Sequence, residues 1–374
     1  MEQGFSPPPL SLYIHIPFCL SRCGYCSFFS LPFGKSAIAE YLGYLHREKA
    51  LYADCLSTPL KSVYFGGGSP SLLSAEQINK LMQGLQLTRD AEISLEINPI
   101  QISPAFLAAL NTTPINRLSI GLQSMQDAEL VWLDRRHHAA QMADKMKLCR
   151  DYGYDNISLD LIYGLPNGDT SALQRNLDAY LALNPEHISC YLLSLDEDCA
   201  KHKDALTLPD EDLQFAQYEL IRHSLVDSGF QHYEISNFSK TGKASQHNLC
   251  YWQSDNCLAL GASAAGWMAP IRYQNDANLA DYYRKIDAQE HYPNRQVCSL
   301  QRMMEDFLMM GLRLIKGIDM GDFKQRFGRD LDSIYGESMQ HLNRLAMLSV
   351  KDNRLALTEA ALFVSNSVIG ELIL

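Results

Sequence analysis

The sequence predicts an α/β fold: a partial or complete (β/α)6 TIM-like barrel with a small helical, winged-helix-like C-terminal domain. Three observations carry this. Short β-branched runs alternate with longer amphipathic segments up to about residue 200, as in a parallel sheet with helices outside it. No GxGxxG follows the first run, so a nucleotide-binding sheet fits less well. The punctuating and polar residues gather at the C-terminal ends of the runs, where β/α barrels build their sites.

The expected strands are 12–16, 62–65, 92–97, 117–121, 156–162 and 187–193, with amphipathic helices over 37–52, 75–85 and 139–152. Each strand ends on something unusual. Three cysteines follow the first, Gly66-Gly67-Gly68-Ser69-Pro70 the second, and Glu96-Ile97-Asn98-Pro99 ends the third. Gln123 closes the fourth, Asp160 lies in the fifth before Gly164-Leu165-Pro166, and Tyr191 sits on the sixth. Beyond about residue 200 the rhythm changes. Pro209-Asp210-Glu211-Asp212 suits a helix start, with acidic groups at the positive dipole end, and the helix runs to about Val226. Residues 303–314 read as an apolar helix, and the runs 348–350 and 355–357 as a hairpin around Lys351-Asp352-Asn353. The expected division is a barrel core over 1–235, a connecting region over 236–295 and a helical domain over 296–374.

Composition narrows the function. A formal net charge of −11 argues against nucleic-acid binding, whose energy comes largely from basic groups on phosphates. The chain has ten cysteines, seven of them scattered, several in apolar runs where thiols pack as small hydrophobes. The N-terminal residues lack a charged-then-apolar leader, and the apolar stretch 257–271 is short and broken by glycine. No transmembrane segment and a reducing, cytoplasmic setting are expected.

Cys19, Cys23 and Cys26 form a tight thiol cluster on one short loop. A cubane takes four ligands, so three thiolates leave one iron open to a small molecule. The plain alternative is a structural zinc site. Such sites are closed by four ligands, often in two pairs, and no second pair of cysteines stands in the chain.

Cys19-x3-Cys23-x2-Cys26, with Tyr25 before the last cysteine, resembles the signature of the radical S-adenosylmethionine (SAM) enzymes. Gly66-Gly67-Gly68-Ser69-Pro70-Ser71, Glu96-Ile97-Asn98-Pro99, the run from Asn116 to Gln123 and the run from Asp160 to Pro166 are similar to the branch around oxygen-independent coproporphyrinogen III oxidase. The resemblance implies a radical SAM partial barrel holding a 4Fe–4S cluster on Cys19, Cys23 and Cys26. It implies SAM contacts from Gly67, Gly68, Ser69, Glu96, Gln123, Arg135 and Asp160, flanked by Tyr13 and Tyr25. Taken singly, the glycines fit ordinary turns and Arg135 and Asp160 fit ion pairs.

Two features separate the chain from the oxidases. Where that branch carries a further cysteine, this chain has Phe28, as the HemW-type haem chaperones do. The segment Gln246-His247-Asn248-Leu249-Cys250-Tyr251-Trp252 fits the HNxxYW motif of that group. By that resemblance His247 binds haem, since imidazole is a good axial ligand; by itself it also fits a hydrogen-bonded packing residue. The implied function is haem binding and transfer to apo-haemoproteins, respiratory ones among the candidates, with oxidase activity not expected. The alternative is the oxidative decarboxylation of coproporphyrinogen III in porphyrin biosynthesis. A radical tRNA-modifying enzyme fits poorly, because no basic appendage is present. Electron donor and oligomeric state stay open. Three positions depart from the group: Ala265 stands for a histidine, Ser69 for threonine and Asp134 for a glycine.

Overall fold

The computed structural model describes residues 10–166, 168–196, 199–203 and 208–373; the N-terminal residues read for a leader lie outside them. In chain order the first part runs β1 (Leu10–Ile16), α1 (Lys35–Leu51), β2 (Leu60–Gly67), α2 (Ala75–Met82), β3 (Leu87–Ile97), α3 (Pro104–Leu110), β4 (Arg117–Gln123), α4 (Asp127–Trp132), α5 (Met142–Asp151), β5 (Ile157–Tyr163), α6 (Thr170–Ala182) and β6 (His187–Leu192). Six strand–helix units were expected, and all six strands are present.

Two expected helices differ. The stretch 75–85 ends at Met82, because Gly84 takes a left-handed φ of +81° and turns the chain into β3. The stretch 139–152 is a short 3-10 turn over Ala139–Gln141 followed by α5. Starts are well capped where the sequence offers a short polar side chain. Ser74 and Gln77 form a reciprocal capping box on α2, and Ser103 and Asp169 cap α3 and α6.

The second part contains α7 (Glu211–Asp227), β7 (Gln231–Glu234), β8 (Asn237–Ser239), α8 (Gln246–Trp252), β9 (Asn256–Leu260), β10 (Ala265–Met268), β11 (Ile271–Gln274), α9 (Leu279–Asp287) and β12 (Gln296–Val297). The large sheet has the order β12-β11-β10-β9-β1-β2-β3-β4-β5-β6-β8-β7. Its seven central strands, β9 through β6, are parallel, with Tyr13 opposite Tyr64, Tyr64 opposite Ser94, and Ser94 opposite Arg117. Antiparallel strands extend both edges, and the two ends do not pair, so the barrel is partial. Residues 236–295, read from the sequence as a connecting region, supply β8 at one edge and β9 to β11 at the other. β9 is a seventh parallel strand that the alternation pattern did not reveal.

Strand alternation sets the interior. Leu12, Ile14, Val63, Phe65, Leu95, Leu118, Ile120, Leu159 and Leu161 are fully buried in the main apolar cluster. The alternate positions turn to the other face: Ser11, Tyr13 and His15; Ser62 and Tyr64; Glu92, Ser94 and Glu96; Arg117 and Ser119; Ser158 and Asp160; His187 and Ser189. The barrel thus has a polar lumen within an apolar wall.

The last part holds α10 (Leu300–Gly311), β13 (Ile318–Asp319), α11 (Met320–Phe327), α12 (Asp332–Arg344), β14 (Leu348–Lys351), β15 (Arg354–Leu357) and α13 (Ser365–Ile373). The strands form a small sheet in the order β13-β15-β14, with the expected hairpin at its turn. This is the winged-helix-like arrangement expected.

Candidate functional site at the barrel mouth

A cavity of about 450 Å³ opens at the C-terminal ends of the parallel strands. Its lining includes Cys19, Cys23 and Cys26 together with Tyr25, Gly67, Gly68, Ser69, Glu96, Gln123, Arg135 and Asp160. Eleven of the thirteen residues singled out from the sequence therefore share one cavity. Tyr13 and His247 do not line it.

The cysteine loop leaves the barrel after β1. Phe18–Cys19 pairs with Leu31–Pro32, closing the loop at its base, and the Cys26 amide donates to the Cys23 carbonyl at 3.1 Å. Donors reach two sulfurs: Arg135 Nη1 lies 3.7 Å from Cys23 Sγ, and Ser69 Oγ 3.8 Å from Cys19 Sγ. Burial raises the Cys19 and Cys26 thiols above their ordinary value, so metal binding there would release protons. Among the described residues no three His, Cys, Asp or Glu side chains are arranged around a single ion. The loop is braced from outside by Asp134, which takes a left-handed φ of +54°. Its Oδ2 accepts from the Gly24 amide at 2.9 Å and lies 3.5 Å from Lys201 Nζ. The Lys201 amide donates to the Gly24 carbonyl at 3.0 Å, and the Cys199 thiol to the Tyr25 carbonyl at 3.1 Å.

The glycine ridge after β2 lies against this loop. A Cβ on Gly68 would stand 2.8 Å from the backbone of Pro17 and Phe18, and Gly67 has φ +116° with the His15 ring beneath it. Only glycine allows that approach of backbone to backbone. Glu96 supports the ridge: Oε2 accepts from the Gly67 amide at 3.0 Å and Oε1 from Tyr64 Oη at 3.0 Å. Burial, then the neighbouring Asp160, pushes the Glu96 carboxyl up to about 7. Burial likewise raises Asp160 to about 6, against the opposing effect of Ser189, Arg117 and Arg135. Two facing carboxyls held near neutrality suit a ligand that brings positive charge. Arg135 donates to the Gly121 carbonyl at 2.6 Å, which places its guanidinium between the cysteine loop and the strand ends. The residues present thus fit a cubane with one open corner beside a cationic, amino-acid-like ligand.

Tyr13 lies one shell behind the cavity. Its ring stacks on Tyr64 at 6.2 Å, its hydroxyl meets His15 Nδ1 at 2.9 Å, and a Cβ on Gly66 would strike it. His247, expected as a haem ligand, is placed differently. It is fully buried on α8, with Nδ1 2.9 Å from Ser62 Oγ and Nε2 2.9 Å from Tyr251 Oη. Burial lowers its pKa to about 3, so the ring is neutral and both nitrogens are engaged inside the protein. In this conformation His247 fastens α8 to the barrel rather than facing a ligand, the packing role that its sequence setting also fitted. Its neighbours Ser245 and Asn248 are the motif-region residues that line the cavity.

Sequence reasoning missed Arg117, Ser119, Ser189 and Asn248 as cavity residues. The signal was available in β4, where Arg117, Ser119, Gly121 and Gln123 alternate onto one face and all line the cavity. Phe28, 67% exposed, and Tyr191, 44% exposed, give the mouth an apolar rim.

This architecture is that of the radical SAM superfamily, whose family model matches residues 13–198; the HemN C-terminal domain model matches residues 298–364. The chain is 31% identical to the heme chaperone HemW of Lactococcus lactis, covering 98% of each chain. It is 32% identical to the heme chaperone HemW of Bacillus subtilis, over 96% of this chain and 98% of the relative. The chain belongs to the HemW family of radical SAM proteins. A mitochondrial radical S-adenosyl methionine domain-containing protein 1 of Bos taurus is 33% identical over 86% of this chain and 77% of its own. Among solved structures, Escherichia coli coproporphyrinogen III oxidase (HemN) superposes with a TM-score of 0.85 at 22% identity, covering 98% of this chain and 90% of that one. That likeness concerns the fold.

Proposed function

We propose that this protein is a haem chaperone: it binds haem and passes it to apo-haemoproteins, with a 4Fe–4S cluster and SAM held in the barrel-mouth cavity. The observation that carries the cofactor part is the meeting of Cys19, Cys23 and Cys26 with the Gly67–Gly68 ridge, Glu96, Gln123, Arg135 and Asp160 in one cavity. In this reading the three thiolates hold the cluster. The Gly67, Gly68 and Ser69 ridge takes the methionine end of SAM, and the two carboxyls face its positive charge. A cluster held there would supply one-electron reducing chemistry to a SAM bound beside it. The relatives' name and Phe28 support the haem part. Coproporphyrinogen III oxidation is the alternative, and Phe28, where the oxidases have a cysteine, speaks against it.

His247 enters this reading as a brace of α8, since ligation through it requires breaking a bond to Ser62 or Tyr251. Among the described residues no helix is long and apolar enough to cross a membrane. The test is anaerobic reconstitution. About four irons per chain are expected, with loss of that iron in Cys23→Ser and a Soret band on titration with haem. A Cys23→Ser protein that keeps a normal cluster would remove the site assignment.

A further inference from the structure

The register of the sheet slips where two of the SAM residues meet. Between Ile120 and Gln123, β4 advances three residues while β5 advances two, from Leu159 to Leu161, which is a β-bulge. Gln123 leaves the bulge with a left-handed φ of +70°, a conformation that a long side chain keeps only where surrounding contacts impose it. Asp160 stands opposite the bulge with no register partner in β4. Both residues line the cavity. Behind them lies α6, whose buried face is apolar at Leu173 and Leu177 but also carries Asn176 and Tyr180. These two are four residues apart and so share one side of the helix. Asn176 is only 2% exposed. Its Oδ1 accepts from the Met125 amide at 2.7 Å, and its Nδ2 donates to Glu129 Oε2 at 2.8 Å. The buried Ser124 hydroxyl donates to the same Oε2 at 2.5 Å and accepts from the Gln126 amide at 2.9 Å. The two residues that follow Gln123 are thus tied to α6, Met125 directly and Ser124 through Glu129. Tyr180 Oη donates to the Asp160 carbonyl at 2.8 Å, at the point where the pairing with β4 lapses.

We propose that this face of α6 is a positioning element of the SAM site. Asn176, with Glu129 and Ser124, holds the turn in which Gln123 keeps its left-handed backbone and presents its side chain to the cavity. Tyr180 holds the strand backbone from which Asp160 projects. Neither Asn176 nor Tyr180 lines the cavity, so each acts through the residue it fixes. The inference rests on the cofactor reading above, in which Gln123 and Asp160 contact SAM. A packing role alone would be met by leucine at both positions, as at Leu173 and Leu177. A buried amide and a buried hydroxyl, each bonded to main chain at or beside a SAM residue, specify backbone position as well as filling space.

The experiment measures SAM affinity by calorimetry on the cluster-reconstituted full chain, with iron content as the check on folding and loading. Asn176→Ala and Tyr180→Phe are each expected to weaken SAM binding about fivefold or more while keeping their iron. In a Gln123→Ala background Asn176→Ala is expected to weaken it no further, because its effect passes through Gln123. Leu177→Ala, which empties the same buried face but removes no bond to either backbone segment, is expected to lose stability and bind SAM as the unaltered protein does. Tyr180→Phe keeps the ring and decides the matter if Asn176→Ala does not fold. Unchanged affinity in both variants, or an equal loss in Leu177→Ala, overturns the inference and leaves the SAM site standing. Failure of the iron-loaded, unaltered protein to bind SAM overturns the cofactor reading and the inference with it.

Discussion

Glu96 and Asp160 are the residues on which the cavity's electrostatics turn. Both are acids pushed up by burial, to about 7 and about 6. The folded, ligand-free protein therefore holds protons there that the unfolded chain would release. The stability these groups contribute is present at low pH and is lost as pH rises through those values. A cationic ligand favours the ionised forms, so the sign for binding is opposite. SAM affinity of the reconstituted protein is expected to fall several-fold between about pH 8 and about pH 5.5, measurable by calorimetry. A flat profile would show that neither carboxyl meets the ligand's charge. The cysteines and the glycine ridge were legible because their spacing is local. Arg117 was not, because its meaning depends on register with Ser94 across two strands and on what Glu92 has already given to α8.

At the scale of elements, α8 is the instructive case. Ser245 caps it, the Glu92 carboxylate receives the amides of Gln246 and His247, and His247 bridges Ser62 to Tyr251. A seven-residue helix is marginal by itself, and these contacts are what seat it on the barrel. His247→Ala is expected to cost about 1–3 kcal/mol of stability in denaturant unfolding, with the haem Soret position retained. Disappearance of the Soret band without loss of stability would make His247 the iron ligand instead. The motif's presence was readable in the sequence; the direction in which its histidine points was not, since that is decided by Ser62 and Glu92 on distant strands. β9 escaped for a related reason: Cys257-Leu258-Ala259-Leu260 carries no alternation, and its partner, β1, lies at the other end of the chain.

At the scale of the molecule, the later segment closes onto both edges of the first sheet. Glu48 on α1 is the fastening on one side. It accepts from the Gly261 amide at 2.7 Å, Asn275 Nδ2 at 2.6 Å and Tyr282 Oη at 2.6 Å. Removing these acceptors in Glu48→Ala leaves the Gly261 amide and the Tyr282 hydroxyl without their buried acceptor and Asn275 with only its bond to the Gly261 carbonyl. A loss of about 3 kcal/mol or more is expected in equilibrium unfolding, and a change under about 1 kcal/mol would show the network to be dispensable. The α/β order was visible from residue types alone, whereas the capture of both edges by residues 236–295 depends on such long-range contacts. Phe28 and Tyr191 stand exposed where the polar lumen opens at the mouth. Whether this cavity serves a haem chaperone is decided on cluster-reconstituted protein supplied anaerobically with reductant, SAM and coproporphyrinogen III and then titrated with haem. Stoichiometric haem binding without vinyl product is the result expected; turnover to protoporphyrinogen would contradict it.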